Sequence, residues 1–210
     1  MSQTSNNNDI ERRSCDLRAS VSDDGKISGY AAVFNSLSED LGGFKEIITA
    51  DALNGVIEQS DVFAVLNHDI DRGLLARSKQ GIGTLRLSVD GKGLRYEFTP
   101  PDTPLGKEVT ESIRRGDITG SSFAFSVESD DWSKDYTLRT IRKIRRLYDV
   151  SPVYQPAYEG TSVALRSLEA AKDEAAKALA AYYEDKRRKL KQDHGYTNTN
   201  GKGRGVTGRG

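Results

Sequence analysis

The candidate general base of this chain is easy to find, because its folded part contains one histidine, His68. The second histidine, His194, lies in a Gly/Asn-rich C-terminal segment. Imidazole is the side chain whose charge ordinarily changes near neutral pH, so His68 has to supply any such base. It follows the apolar residues 62–66, and the end of a strand can hold a side chain firmly while keeping it accessible. A hydrogen-bonded structural histidine is the alternative interpretation.

Two candidate nucleophiles follow a glycine in the segment Gly120-Ser-Ser-Phe-Ala-Phe. Side chains alternate between the two faces of a strand, so Ser122 is predicted to lie opposite the phenylalanines. Its small neighbours on that face leave room for a substrate carbonyl. Ser121 carries the same hydroxyl but is predicted to point toward the aromatic face. A Gly-Ser turn that begins an amphipathic strand would explain the same residues.

A candidate acid, Asp149, lies in the apolar and aromatic run Leu147-Tyr-Asp-Val-Ser-Pro-Val-Tyr. An unpaired carboxylate is costly in such surroundings, so Asp149 needs a partner, and a histidine is a good one. A cap or turn before Pro152 is the alternative. Asp69 is adjacent to His68 and faces the other way on an extended chain, whereas Asp71 is the weaker alternative to Asp149.

Alternation of apolar and polar residues dominates the part of the chain that must position these side chains. It is clearest in residues 84–98, where an Asp-Gly-Lys-Gly turn joins two alternating runs and predicts a β-hairpin with one buried face. Further strands are predicted at residues 28–34, 44–49, 62–67, 74–79 and 120–128. Residues 136–150 have apolar residues spaced by three and are predicted to form a strand with bulges.

Two helices are predicted among these strands. One covers residues 50–58, and the other begins at Thr103-Pro104 and ends at Gly116, with a hydroxyl cap and a proline at its start. Seven or more short strands with two or three helices predict an α+β, mainly β fold. We expect a closed or nearly closed antiparallel β-barrel with a few surrounding helices, plus a C-terminal helical extension.

Composition divides the chain into four predicted segments. Residues 1–15 are polar and predicted to be flexible, and residues 16–166 form the domain that holds the candidate site. Residues 167–192 are rich in Ala, Lys and Glu and predict a long helix. Residues 193–210 form a basic, Gly-rich tail that is predicted to be disordered.

Composition also excludes several classes of function. The 31 basic and 31 acidic residues cancel, so nucleic-acid binding is expected only weakly, through the basic tail. The single cysteine, Cys15, excludes an internal disulfide, and one Cys with two His cannot build a tetrahedral zinc site. We expect no cofactor. The sequence has no apolar run of about 20 residues and no signal peptide, so we expect no membrane partner.

The order and spacing of these elements resemble the prohead (capsid-maturation) serine proteases of tailed phages, distant relatives of the herpesvirus assembly proteases. The resemblance spans residues 16–166. It rests on Gly29-Tyr-Ala-Ala-Val-Phe-Asn35, Leu66-Asn-His68, Gly106, Gly120-Ser-Ser-Phe-Ala-Phe125 and Asp149-Val-Ser-Pro-Val-Tyr-Gln-Pro-Ala-Tyr158. It implies a serine endopeptidase with Ser122 as nucleophile and His68 as base. Asp149 matches the third position, where the herpesvirus enzymes have a second histidine that this chain cannot offer.

The resemblance also implies substrates and a place of action. Such a protease cuts the scaffold protein and the major capsid protein precursor, and often itself, inside the assembling procapsid in the host cytoplasm. Its oxyanion or substrate contacts are expected from Ser121, from backbone amides near Ser122, or from Arg142, Arg145 or Arg146. A solvated basic strand face is the alternative explanation of these arginines.

Two competing functions stay open. One is a non-catalytic scaffold or assembly protein on the same fold, which would bind capsid partners through the C-terminal helix. The other is a nucleic-acid-binding head protein that uses residues 186–191 and the tail. The sequence does not determine the oligomeric state, and a homo-oligomer is one of the open alternatives.

Overall fold

The computed structural model describes residues 10–154 and 161–195, and any prediction for the other residues lies outside it. The strands and helices in these ranges are β1 (Glu11–Cys15), β2 (Ser20–Val21), β3 (Ile27–Val33), β4 (Lys45–Ile48), β5 (Asp61–Ala64), β6 (Ala76–Lys79), β7 (Ile82–Gly83), β8 (Leu85–Val89), β9 (Gly93–Phe98), α1 (Pro104–Arg115), β10 (Gly120–Trp132), β11 (Leu138–Val153) and α2 (Thr161–Gly195). The predicted hairpin is confirmed as β8 and β9.

The strands form two sheets. In the first, the order is β1-β10-β11-β5-β6-β7, and β4 also lies beside β11. The strand β11 is long enough, at 16 residues, to pair in parallel with β4 near its start and with β5 near its end. The second sheet has the order β2-β3-β9-β8.

The predicted closed antiparallel barrel is therefore wrong, although the α+β, mainly β class is correct. Neither sheet closes on itself within the described residues, and the first sheet is mixed rather than antiparallel. The reason lies in β2, which has only two residues and pairs with the start of β3 alone. The rest of that edge of β3 has no partner strand among the described residues, and β1 pairs with β10 on one side only.

One apolar core joins both sheets and α1. The alternating apolar residues of the hairpin strand β9 belong to this core, since Leu94, Tyr96 and Phe98 are all buried. From β10 the stacked rings of Phe123 and Phe125 enter the same core, with centroids 4.5 Å apart. The aromatic face of β10 is thus the core face, and its opposite face carries Ser122.

The predicted ends of α1 are confirmed. Thr103 caps the helix by accepting a hydrogen bond from the backbone N–H of Gly106 at 3.2 Å. Gly116 ends it in the left-handed conformation, with φ of 81°. A side chain at Gly106 could not be accommodated, since a Cβ there would lie 2.1 Å from the carbonyl oxygen of Pro101.

The helix predicted at residues 50–58 is wrong in its type. Two short 3₁₀ helices occupy this region, Ala50–Leu53 and Ile57–Gln59. Gly55 lies between them with φ of 72°, a left-handed conformation that interrupts a helix.

The prediction that residues 1–15 are flexible is also wrong for Glu11–Cys15, which forms the edge strand β1. The side chains of Glu11 and Arg13 are buried in an ion network. Arg13 binds Glu46 at 2.9 Å, and Arg139 binds Glu11 at 2.7 Å and Asp130 at 2.6 Å. Burial alone would raise the pKa of Glu11, but Arg13 and Arg139 outweigh it and hold that pKa below its usual value. The charges are tolerated because each has a partner.

The helix α2 begins at Thr161, earlier than predicted. Its residues Leu165 and Leu168 pack with Leu41 and Phe44 in a small second cluster. Contacts divide the chain into two compact units, one up to Leu168 and the other from Glu169 onward. No helix in the described ranges has an apolar stretch long enough to span a bilayer.

Candidate active site

Ser122 is held in the middle of the first sheet. On β10 it lies opposite Ser14 of β1 on one side and opposite Ser151 of β11 on the other. Only 1% of the residue is exposed. Its position is therefore fixed by backbone pairing with two neighbouring strands.

His68 lies on a tight turn that follows β5. Asn67 and His68 both adopt left-handed backbone conformations, with φ of 52° and 60°. Such conformations cost about 1–3 kcal/mol for residues other than glycine and persist only where the surroundings enforce them. Here the end of β11 does so: the backbone N–H of Asn67 donates to the carbonyl of Pro152 at 3.1 Å. That of His68 donates to the hydroxyl of Ser151 at 3.2 Å.

The turn brings the three predicted residues together. The imidazole Nε2 of His68 lies 2.7 Å from Oγ of Ser122, and its Nδ1 lies 2.6 Å from Oδ1 of Asp149. With the proton on Nδ1, the ring donates to the carboxylate, and Nε2 is left to accept the hydroxyl proton of Ser122. The side chains of His68 and Asp149 are 12% and 14% exposed, so both reach the surface only slightly.

Two further contacts were not predicted from the sequence. The hydroxyl of Ser151 donates to Oδ1 of Asp149 at 2.9 Å, and the hydroxyl of Ser122 also has the carbonyl oxygen of Arg13 within 2.9 Å. Alternation along β11 could have indicated Ser151, because residues 149 and 151 share a strand face. No sequence pattern could have indicated Arg13, which comes from a strand that was not predicted.

Ser121 points into the core, as its alternation with Ser122 predicts. Its hydroxyl lies 2.9 Å from that of Tyr96 and donates to the carbonyl of Leu17 at 3.1 Å. Burial raises the pKa of Tyr96, although the hydrogen bond to Ser121 acts in the opposite direction. The structure thus places Ser121 away from His68.

The arginines and the other aspartates lie outside the site as well. Arg142 is exposed and binds Asp131 at 2.7 Å, and Arg145 is exposed on the same strand. They precede Asp149 on β11 by distances of roughly 13–23 Å at about 3.3 Å per residue. Asp69 accepts backbone hydrogen bonds within its own turn, from residues 71 and 72 at 3.1 and 3.2 Å, and Asp71 is exposed.

The arrangement of a hydroxyl, an imidazole and a carboxylate in series is suited to acyl transfer. A family model described as caudovirus prohead serine protease matches residues 9–174. The chain belongs to this family. The resemblance stated from the sequence is therefore confirmed, and membership indicates a protease of phage head assembly.

Two other comparisons give less. No curated protein matches the sequence. A solved structure, the capsid assembly protease of bacteriophage T4, is similar at 12% sequence identity with a TM-score of 0.43, covering 69% of this chain and 99% of that one.

Proposed function

We propose that this protein is a serine endopeptidase in which Ser122 is the nucleophile, His68 the general base and Asp149 the residue that orients the base. The observation that supports this most is the series of two short contacts, 2.7 Å from Ser122 to His68 and 2.6 Å from His68 to Asp149. The first contact lies within the range in which a proton can pass from a nucleophile to its base, and the second is a hydrogen bond that orients the base.

The first half of the reaction forms an acyl-enzyme. Nε2 of His68 takes the proton of the Ser122 hydroxyl as the oxygen attacks a peptide carbonyl. When the peptide C–N bond breaks, the imidazolium returns this proton to the leaving amine. In the second half, water gives a proton to His68 and attacks the ester, and Ser122 regains its proton as the acid product leaves.

Asp149 keeps the base in the productive form. By accepting the Nδ1–H it holds the tautomer whose Nε2 is free, and its negative charge stabilises the imidazolium that forms during each half-reaction. Its slight exposure supports this role, because a charge interaction is stronger where little water screens it.

The negative charge on the carbonyl oxygen needs donors that are already in place. We propose that backbone amides in the surroundings of the site supply them, since the amides of β10 next to Ser122 already lie in strand pairing on both sides. The ion pair of Arg142 with Asp131 and the exposed position of Arg145 argue against the two arginines. The contacts of Ser121 in the core argue against this residue as well.

Family membership supports the choice of substrates. We propose that the protease cuts the scaffold protein and the major capsid protein precursor, and also itself, inside the assembling procapsid in the host cytoplasm. Residues 16–166, together with β1, would form the protease domain, and the helix α2 would contact capsid partners.

The test is co-expression of the capsid precursor with the wild type, Ser122→Ala or Ser126→Ala, followed by intact mass measurement of the precursor. Ser126 is a matched control, since it is buried on the same strand and makes no contact with His68. We expect shortened precursor with the wild type and Ser126→Ala, and full-length precursor with Ser122→Ala. Equal masses with the wild type and Ser122→Ala would leave a non-catalytic assembly protein as the better explanation.

A further inference from the structure

The hydroxyl of Ser151 makes contacts with two members of the candidate site. It donates a hydrogen bond to Oδ1 of Asp149 at 2.9 Å and accepts one from the backbone N–H of His68 at 3.2 Å. It also lies 3.4 Å from Nδ1 of His68, beside the shorter contact between that nitrogen and Asp149. Ser151 is completely buried.

We propose that Ser151 is a positioning residue, which fixes the orientation of His68 relative to both Asp149 and Ser122. The inference rests on the proposed function. The inference extends the proposed function, because it adds to the site a fourth residue that touches no substrate and acts through His68.

The first argument is that the backbone of His68 requires an external constraint. Its left-handed conformation is unfavourable for a residue with a Cβ atom, and within the turn Asn67 is left-handed too. The carbonyl of Pro152 holds Asn67, and the side chain of Asn67 accepts the N–H of Tyr154 at 3.1 Å. The backbone N–H of His68 itself is held by Ser151. Without this bond, the turn keeps only the bonds of Asn67 and the bond from the N–H of Asp69 to the carbonyl of Leu66 at 3.0 Å, and neither acts on the peptide N–H of the base.

The second argument concerns the number of bonds that one hydroxyl can make. The single proton of Ser151 goes to Asp149, and an oxygen lone pair receives the N–H of His68, so one atom joins the base to its carboxylate. Ser151 also lies directly opposite Ser122 in the pairing of β10 with β11. Sheet pairing therefore holds β10, which supplies the nucleophile, in a fixed register with β11, which supplies Ser151.

The third argument is a contrast with other serines nearby. Ser126 is also buried, yet its hydroxyl contacts that of Tyr148 at 3.5 Å and not His68 or Asp149. Burial of a serine in this sheet thus does not by itself produce the contacts seen at Ser151.

The first measurement is the rate at which a fluorophosphonate probe modifies the full-length protein. The probe reacts with an activated serine hydroxyl and needs no knowledge of the natural substrate. We expect Ser151→Ala to react on the order of 10- to 100-fold more slowly than the wild type, because a small displacement of a catalytic group has effects of this size. Ser126→Ala should react at the wild-type rate.

The second measurement reports the position of the ring rather than activity. In a His194→Gln background the chain has a single histidine, so ¹⁵N-labelled histidine gives the NMR signals of His68 alone. We expect the wild type to show the Nδ1–H tautomer with a slowly exchanging proton. In Ser151→Ala the ring signals should broaden or move toward a mixture of tautomers, with circular dichroism unchanged.

Wild-type ring signals and a wild-type probe rate in Ser151→Ala would overturn the proposal. If Ser151→Ala does not fold, Ser151→Cys takes its place, since the thiol has a similar shape and is only a weak donor. The same two readouts then decide. Ser122→Ala separates this proposal from the proposed function. Should it still react with the probe, the nucleophile is misassigned, while the ring signals of Ser151→Ala continue to test the positioning role.

Discussion

The carbonyl oxygen of Arg13 lies 2.9 Å from the hydroxyl oxygen of Ser122. The hydroxyl has one proton and two acceptors, since Nε2 of His68 is also within 2.7 Å. Only the bond to His68 leads to proton transfer. The side chain of Arg13 is bound to Glu46 and Glu11, so its backbone is held beside the nucleophile by the buried ion network. The edge strand β1 is therefore part of the surroundings of the site.

Asp149→Asn should abolish most of the reactivity while leaving the fold intact. An amide has the shape of the carboxylate, but it carries no charge and can turn its NH₂ group toward Nδ1, which favours the wrong tautomer of His68. We expect the rate of fluorophosphonate modification to fall on the order of 10³- to 10⁴-fold. Circular dichroism and the denaturation midpoint check that the variant is folded.

Asp71→Asn is the matched control, because Asp71 is an exposed carboxylate three residues from His68. It should react like the wild type. The opposite result, with loss of reactivity in Asp71→Asn and not in Asp149→Asn, would move the orienting role to Asp71.

Arg139→Ala and Arg142→Ala should differ strongly although both remove an ion-paired arginine from β11. Arg139 is 2% exposed and binds Glu11, Glu46 and Asp130. Its removal leaves the buried carboxylates of Glu11 and Glu46 to share Arg13 and takes the ion-pair partner of Asp130 away. We expect a loss of about 3–5 kcal/mol in the free energy of unfolding. Arg142 is 54% exposed, and its pair with Asp131 should contribute less than about 1 kcal/mol. Urea denaturation measures both.

Arg142→Ala also tests whether an arginine side chain stabilises the negative charge on the substrate carbonyl oxygen. Arg142→Ala should keep the wild-type probe rate, since its side chain is bound to Asp131 outside the site. A stable Arg142→Ala protein with strongly reduced reactivity would show that the arginine acts in catalysis, as the resemblance implied.

What could be predicted from the sequence was set by local patterns. The hairpin of β8 and β9 follows from alternation around a turn, and α1 follows from the cap at Thr103 and the stop at Gly116. His68 could be singled out because the folded part of the chain contains one histidine. Its grouping with Ser122 and Asp149, in contrast, was implied by the family resemblance and not by any local pattern.

The remaining features depend on contacts between distant residues. The sequence of β1 is typical of a polar segment, because its buried side chains are Glu11 and Arg13. Their partners, Arg139 and Glu46, lie far along the chain. Alternation predicts a buried face but does not determine which strands pair, so the open edges of the sheets could not be foreseen. The role of Ser151 depends on the conformation of residue 68, which no local pattern encodes.

Glu11→Gln should change how stability depends on pH. The pKa of Glu11 is lowered by folding, so its ionised form stabilises the protein fully above the usual carboxyl pKa of 4.5. This contribution is lost as the pH falls through the lowered pKa of the folded state. We therefore expect the wild type to exceed Glu11→Gln by about 3 kcal/mol at neutral pH, since a buried pair is broken. The difference should shrink below pH 4.5.

Unfolding free energies of both proteins across this pH range check the prediction, and the carboxylates outside the ion network of Glu11 cancel in the comparison. Glu128→Gln serves as a control, because Glu128 is 45% exposed in its pair with Lys143. It should follow the wild-type curve. A gap between the wild type and Glu11→Gln that widens on acidification would mean that folding raises the pKa of Glu11.

Gly106→Ala should destabilise the protein even though alanine is the better helix former. In an open helix position the replacement would gain about 1 kcal/mol. At Gly106, however, the new Cβ would lie 2.1 Å from the carbonyl oxygen of Pro101, so either α1 or the Pro100-Pro101 segment must shift. We expect a net loss of about 1–3 kcal/mol, which is typical of overpacking. Lys107→Ala changes an exposed neighbour on the same helix and should leave the denaturation midpoint nearly unchanged. If Gly106→Ala instead raised the midpoint by the amount that helix propensity predicts, the close approach of Pro101 would have no role in selecting glycine here.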